Sequence, residues 1–518
     1  MNALRQNQQP NFVIVMADQL TAPAVGAYGN SVVQTPHMDA LGRDGVLFEN
    51  AYCNSPLCAP SRFSMMSGQL PSRIGAYDNA SEFPASIPTF AHYLRDLGYQ
   101  TCLSGKMHFI GPDQLHGFEE RLTTDIYPAD FGWTPDWEAE NQRVDWWCHN
   151  QSSVTQAGVA ETTNQLEFDD EVGGQTIRKI YELARGGDPR PFMLMASFTH
   201  PHDPYATRQC YWDRYDHDAI DMPRVPAMNY KDHDPHSQRV FDLCAMAEKD
   251  IKEEDIRNAR HAYYGNVSYF DDWLGKIVQT LDETDQRDNT IIIVISDHGD
   301  MLGERGLWYK MSFFEWSSRI PMIISAPGRF LKQRISNNVS LLDLLPTLVD
   351  LAASGESDAQ EFADYVDGRS LVPLMTGDAS GDTDEVFGEM LCEGAKAPCI
   401  MVRRGHYKYI HSDPDPVQLY DLKNDPDELN NLAGDTDVTD VERDFADEIR
   451  SRWDSVSLGR NVIADQKRRR KVFQSLSKGN NTSWDYQYTR DASKQFMRNH
   501  LDLNDLERKT RYPQTRKD

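Results

Sequence analysis

Polar residues recur directly after apolar, β-rich runs in this sequence, and their types suit the handling of an anionic ester. Asp18 follows the run 12–16, Lys106 and His108 follow 100–103, His200 and His202 follow 192–196, and Asp297 and His298 follow 290–295. Ligands of open α/β sheets gather outside the carboxyl ends of the strands, so these residues are predicted to share one edge. A single strand-end Asp is more often a helix cap. Four strand ends carrying such residues in register point to a site. Asp18, Asp297 and His298 would offer oxygen and nitrogen ligands to Ca²⁺, Mg²⁺ or a similar divalent cation, with substrate oxygens completing the shell. Lys106 and Lys310 would add fixed positive charge for a sulfate or phosphate group as negative charge shifts during displacement.

The segment Cys58-Ala59-Pro60-Ser61-Arg62 adds a nucleophile to this set. A lone Cys is most often a small buried apolar residue. Here Pro60 suits the first turn of a helix, whose free N–H groups and dipole would hold an anion near residue 58. The elements that must position these groups follow from periodicity. The runs 12–16, 100–103, 192–196, 290–295 and 321–325 alternate with helical patterns and read as a buried parallel sheet. A helix over 87–97 has Pro88 in its first turn and Gly98 just past its end, and Val267, Phe270, Leu274, Ile277, Val278 and Leu281 repeat at helical spacing. Residues 341–352 form another apolar helix, followed by a polar loop at 354–360. From about residue 385 the short runs 386–390, 399–402, 406–411 and 419–420 predict a smaller antiparallel sheet, and beyond 431 the chain reads as charged and helical. The expected organisation is a catalytic α/β domain over 1–380, a smaller α+β subdomain over 381–483 and a tail over 484–518 at a subunit interface.

Composition bounds the function. The 518 residues carry a net charge of −27, which repels nucleic acid and anionic lipid. The basic run 467–471 reads as a solvated or subunit-facing helix surface. A polar start and the lack of any run of ~18 apolar residues predict a cytoplasmic protein that engages no membrane. Eight dispersed cysteines fit a reducing compartment without structural disulfides.

Cys58-Ala59-Pro60-Ser61-Arg62, with Gly68 beyond it, resembles the signature of type I sulfatases, whose Cys is oxidised to formylglycine. The resemblance covers nearly the whole chain and is nearest to the choline sulfatases, through Tyr77-Asp78-Asn79, residues 104–117, 118–135, 197–205 and 296–311, and the tail from Trp484. It implies an alkaline-phosphatase-like fold with a large mixed, mostly parallel sheet. It implies Asp18, Asp297 and His298 as metal ligands beside the modified Cys58, with Arg62 orienting that side chain. Asn79, Lys106, His108, His202 and Lys310 are implied to hold sulfate or assist departure. The hydrate of the aldehyde would attack sulfur, and re-formation of the carbonyl would expel sulfate. One departure affects the metal: many sulfatases have Asp-Asp after the first strand, where this chain has Asp18-Gln19. Gln19 would give an amide oxygen at most, and Ca²⁺ is expected ahead of Mg²⁺ or Mn²⁺.

An alkyl alcohol leaves poorly, so a general acid is needed; His202 in Pro201-His202-Asp203-Pro204 is the first choice and Lys310 the reserve. His200, in an extended segment, points to the opposite side and is read as structural. A quaternary ammonium group is held by aromatic faces with a carboxylate nearby. Trp133, Trp137, Trp146 and Trp147, with Trp133 foremost, and Glu389 and Glu393 are the candidates. The expected substrate is choline sulfate, the expected partners are a sulfatase-maturing enzyme and further copies of the chain as a homodimer or homotetramer. The alternatives are a phosphonate or phosphate monoester hydrolase and a catalytically silent module that binds quaternary amines.

Overall fold

The computed structural model describes residues 9–479 except 141, 146 and 354–360, together with 484, 502 and 504. Its strands are, in chain order, β1 (Asn11–Asp18), β2 (Val46–Tyr52), β3 (Gln100–Gly105), β4 (Glu120–Arg121), β5 (Gly158–Val159), β6 (Phe192–Pro201), β7 (Ala206–Thr207), β8 (Thr290–Ser296), β9 (Arg319–Ser325), β10 (Gln333–Ser340), β11 (Glu385–Met390), β12 (Cys399–Arg404), β13 (Tyr407–Ser412) and β14 (Gln418–Asp421). Eight form the main sheet in the order β10-β2-β9-β8-β1-β6-β3-β4. β9 pairs antiparallel with both β2 and β8, and the other seven strands share one direction. The sheet is therefore mixed, and the run 321–325 belongs to its one reversed strand. β2 and β10 escape the apolar pattern because Glu49 and Asn50 interrupt one and most of the other is polar.

The sheet is buried on both faces, as the unbroken apolar strands predict. Alternate residues of β1 divide between two cores: Val13, Val15 and Ala17 pack with one, and Phe12, Ile14 and Met16 with the other. Helices Asn164–Arg185 and Glu253–Glu283 supply the first core through residues such as Val172, Val267 and Leu274. Helices Cys58–Ser67, Phe90–Asp96 and Leu344–Ala353 supply the second through Phe63, Leu94 and Leu348. The helix predicted from residue 87 begins at Phe90, after Pro88.

β11–β14 form an antiparallel four-stranded sheet in sequence order, as the short runs predict. Helix Thr439–Arg452 covers it through Phe445 and Ile449. The side chain of Asn338 on β10 links the two sheets by donating to Asp384 Oδ1 at 3.0 Å and Gly405 O at 2.9 Å. The final described helix, Ser455–Leu476, buries Leu458 and Val462 against Tyr77 and Trp137. Among the described residues no helix is long and apolar enough to cross a membrane.

Parallel pairing aligns the strand ends that carry the polar residues. Met16 and Gly105 both pair with Ser197, and Ala17 pairs with Ser296, so Asp18, Lys106 and Asp297 leave their strands at one edge. Gly105 has φ +107, and a Cβ there would lie 1.9 Å from Ser197 O. Only glycine lets the chain turn so close to β6 and aim Lys106 at the edge.

Candidate active site

Cys58 is the first residue of its helix, Leu57 is the N-cap, and every residue from Cys58 to Ser67 is buried. The helix stops at Gly68 with φ +67, where an added Cβ would meet Val366 at 2.8 Å. Asn79 Oδ1 accepts the Ala59 N–H at 2.9 Å, so the Asn79 loop is fixed to the helix start. The Cys58 sulfur lies 3.2 Å from His298 Nε2 and 3.9 Å from Asp18 Oδ1.

Asp18, Cys58, Asp297 and His298 each offer a ligand atom, and these four atoms lie within 4.8 Å of one another. His298 Nδ1 is 3.0 Å from Gly299 O, which places the proton there and leaves the Nε2 lone pair facing the cluster. Asp297 Oδ1 accepts from the backbone of Gln19 at 3.0 Å and of His298 at 2.9 Å. Arg62 is fully buried behind the cluster; its Nε donates to Asp297 Oδ2 at 2.9 Å, and its Nη2 lies 3.3 Å from Asp18 Oδ2. Lys106 Nζ pairs with Asp18 Oδ2 and sits 4.3 Å from the Tyr127 ring centre. Two carboxylates and one oriented imidazole around residue 58 are a donor set suited to a divalent cation.

The electrostatics favour an anion at residue 58. Burial pushes the Cys58 thiol up, yet Lys106, Lys310 and His298 bring it well below its ordinary value. Burial and Cys58 push Asp18 up, and Lys106, His202 and Arg62 hold it below the usual carboxylate range. Burial pulls Lys310 down, but Cys58, Asp203, Asp18 and Asp297 raise it, so it stays charged.

A cavity of about 300 Å³ opens from Cys58. Asn79, His108, His202 and Lys310 line it, as do Trp133, Trp147 and Glu393. Lys310 Nζ lies 2.7 Å from His202 Nε2, and His202 Nδ1 lies 2.7 Å from Asp203 O. The Asp203 carbonyl therefore claims the Nδ1 proton, and Nε2 accepts from the Lys310 ammonium. His108 faces Cys58 without a well-aligned hydrogen bond at either ring nitrogen, edge-on to Trp133 at 5.8 Å. The Trp133 and Trp147 rings are nearly parallel with centres 6.0 Å apart. Trp133 Nε1 and Glu393 Oε2 are buried without a partner. Burial pushes Glu393 up to about 8.

Several expectations part from the geometry. Gln19 gives no oxygen to the cluster: its Oε1 accepts from Lys310 Nζ at 2.5 Å, and its Nε2 donates to Asp300 at 2.6 Å. Glu389 is absent from the cavity wall, because Ser72 N and Oγ and Trp453 Nε1 hold its carboxylate at 2.7, 2.6 and 2.5 Å. Trp137 donates to Cys392 O at 2.9 Å and packs under the helix Ser455–Leu476. Trp146 lies outside the described residues. Arg62 and Lys106 orient the carboxylates of the cluster and do not line the cavity. His200 bonds Asp169 at 2.6 Å, away from the cavity, in line with its structural reading. Sequence reasoning missed Tyr127, His149, Asp203 and Asp300. Asp203 and Asp300 stand one and two residues from His202 and His298, a local signal that was open to use; Tyr127 had none.

The family model described as Sulfatase matches residues 10–354, more than half of the chain, and the chain belongs to the sulfatase family. It is a sulfuric ester hydrolase with an alkaline-phosphatase-like fold. Membership implies a divalent metal and formylglycine, and the cluster at Cys58 fits both. A model described as Choline sulfatase enzyme C terminal matches residues 460–512, and one for the C-terminal part of N-sulphoglucosamine sulphohydrolase matches 303–454. Choline-sulfatase of Rhizobium meliloti (strain 1021) is 47% identical over 98% of this chain and 99% of its own length. Arylsulfatase of Clostridium perfringens (strain 13 / Type A) is 28% identical over 82% and 90%. Among solved structures, phosphonate monoester hydrolase of Agrobacterium radiobacter superposes with TM-score 0.68 at 25% identity, over 86% of this chain and 95% of its own. A 2-O GAG sulfatase shares the fold with TM-score 0.67 at 23% identity, over 94% and 100%.

Proposed function

We propose that the protein hydrolyses choline sulfate to choline and inorganic sulfate, with residue 58 acting as formylglycine. The observation that carries this reading is one cavity that joins the Cys58 cluster to a wall of two tryptophans and a buried carboxyl with one oxygen left without a partner. Aromatic faces and a carboxylate hold a quaternary ammonium, which donates no ordinary hydrogen bond. Hydrolysis of choline sulfate, an aryl sulfate and phenyl phosphonate, compared by kcat/KM, tests it. Choline sulfate is expected to rank first, and inactivity on it would end the claim. The phosphonate alternative has support in the fold likeness, but among the described residues Lys310 is the one Lys or Arg of the cavity lining. A phosphoryl dianion calls for more positive charge than that.

As its hydrate, formylglycine 58 supplies a hydroxyl that attacks sulfur and an aldehyde that re-forms as sulfate departs. A divalent cation, Ca²⁺ in this reading, would be held by Asp18, Asp297, His298 and residue 58 and would supply the positive charge that acidifies the hydroxyl and draws in the sulfate oxygens. Asn79, fixed through its oxygen to Ala59, keeps its amide NH₂ for sulfate. Arg62 and Lys106 hold the carboxylates in place.

The Lys310–His202 pair protonates the alcohol oxygen as it leaves, with the proton resting on Lys310 in this geometry. Lys310→Ala is expected to lower kcat for choline sulfate by about 10²–10⁴. An aryl sulfate with a good leaving group needs little protonation, so its loss is expected to be far smaller. Equal losses measured in steady-state assays would remove Lys310 from proton transfer.

A bound cation favours the ionised form of Glu393. In the free enzyme this carboxyl becomes charged as pH rises through about 8, so KM for choline sulfate is expected to fall over that range and then level off. KM for an uncharged alkyl sulfate stays flat, and Glu393→Gln removes the trend. A KM for choline sulfate that rises across the same window would exclude Glu393 from ammonium binding.

Cys58 is 1% exposed on a fully buried helix, which supports maturation by a modifying enzyme acting before the chain folds. The reading also includes a cytoplasmic enzyme of two or four subunits, with the tail from 484 between them.

A further inference from the structure

The helix Ser455–Leu476 carries Gln466, Arg469, Arg470 and Phe473 at helical spacings of three, four and seven, so they share one face. That face meets the turn bearing Trp133. Gln466 Oε1 accepts from Trp137 N at 3.0 Å, and Arg470 pairs with Asp136. Phe473 presses on Gly132, where an added Cβ would come 3.3 Å from its ring. Arg469 reaches further. It makes two parallel bonds to the Asp78 carboxylate, at 2.8 and 2.7 Å, and donates to Thr134 Oγ1 at 3.1 Å. Arg469 is 3% exposed and Asp78 fully buried, so the part of the basic run expected at the surface is an interior strut.

Arg469 Nε also donates to Asp465 of its own helix at 2.6 Å. The two partners outside the helix, Asp78 and Thr134, border both halves of the cavity. Asp78 precedes Asn79 on the anion side, and Thr134 follows Trp133 on the aromatic side. Arg469 itself is not in the lining.

We propose that Arg469 is a positioning residue, fixing the separation of Asn79 and Trp133 and thereby matching the cavity to an ester with its cation a set distance from its sulfate. The inference rests on the roles proposed above for those two side chains. A planar guanidinium can satisfy the carboxylate at two points and the hydroxyl at a third, which a lysine ammonium cannot do in the same geometry. A displacement of about 1 Å in a binding group can change rates by about a hundredfold.

The test uses the metal-loaded, matured enzyme, choline sulfate and an aryl sulfate, with thermal midpoints measured alongside. Arg469→Lys is expected to raise KM for choline sulfate by about tenfold or more and KM for the aryl sulfate, which meets Asn79 alone, by less. The double variant Asp78→Asn/Arg469→Met leaves no buried charge unpaired. It is expected to melt near the parent enzyme while keeping the raised KM, an outcome that a purely structural strut would not give. Parental KM values in the folded double variant would overturn the proposal, and this holds if Arg469→Lys fails to fold. Were the parent enzyme inactive on choline sulfate, the substrate reading would fall, while a raised KM for the aryl sulfate in the two variants would still show that Arg469 positions Asn79, and parental values would overturn that role.

Discussion

Cys58→Ala is expected to lower kcat by about 10⁴-fold or more while the protein stays folded. The reason is specific to the position. Lys106 and Lys310 converge on this side chain, with the His298 imidazole beside it, and favour an anion there, and no other nucleophile among the described lining residues has that surrounding. Cys148 and Cys244 also line the cavity, but burial pushes Cys148 up to about 11 and Cys244 higher still, so neither takes over. Alanine removes one buried sulfur from the first turn of a helix, a loss the surrounding core tolerates within a few degrees of Tm, on the order of 1 kcal/mol. Mass spectrometry of the tryptic peptide ending at Arg62 separates the two forms of the parent: the aldehyde peptide is lighter than the thiol peptide. An active enzyme whose peptide carries only the thiol, or a turning-over Cys58→Ala variant, would exclude the formylglycine route.

Asp297→Asn is expected to lower kcat/KM by about 10³-fold and to reduce bound metal in parallel. Asp297 serves the cluster and also anchors Arg62 through Oδ2, while its Oδ1 fixes the backbones of Gln19 and His298. The amide of Asn keeps one acceptor oxygen for those backbone groups and removes the charge. Arg62 retains Asp18 at 3.3 Å, so the variant is expected to fold. Chelation of the parent enzyme should reproduce the loss, and added Ca²⁺ should restore it. Full activity at zero metal content would remove the cation from the reaction. The metal question also bears on Gln19, whose side chain is spent on Lys310 and Asp300. The cluster therefore has one carboxylate fewer than an Asp-Asp pair would give, and the proton-handling Lys310 gains an oriented acceptor.

Read along the chain, local pattern was enough for five of the eight strands of the main sheet, the strand ends that carry the site and the Cys58 motif. Unbroken apolar runs report burial on both faces whatever the strand order, and the polar residue that ends such a run must emerge at the sheet edge. Register does the rest: Asp18, Lys106, His202 and Asp297 converge because parallel neighbours end level. Polar strands left no such trace, which is why β2 and β10 went unread. Which side chains face the cavity was a tertiary decision. Glu389 and Glu393 are equivalent in sequence terms, yet Ser72, 317 residues from Glu389, takes both oxygens of the first, while Oε2 of the second has no partner. Trp133 and Trp137 divide likewise, because the helix Ser455–Leu476 claims the second. Arg469 looked like one charge in a basic run until the fold set it against Asp78, 391 residues away. Periodicity reports how buried a residue is, but only the packed chain decides which distant group satisfies it and which polar atoms remain for a substrate.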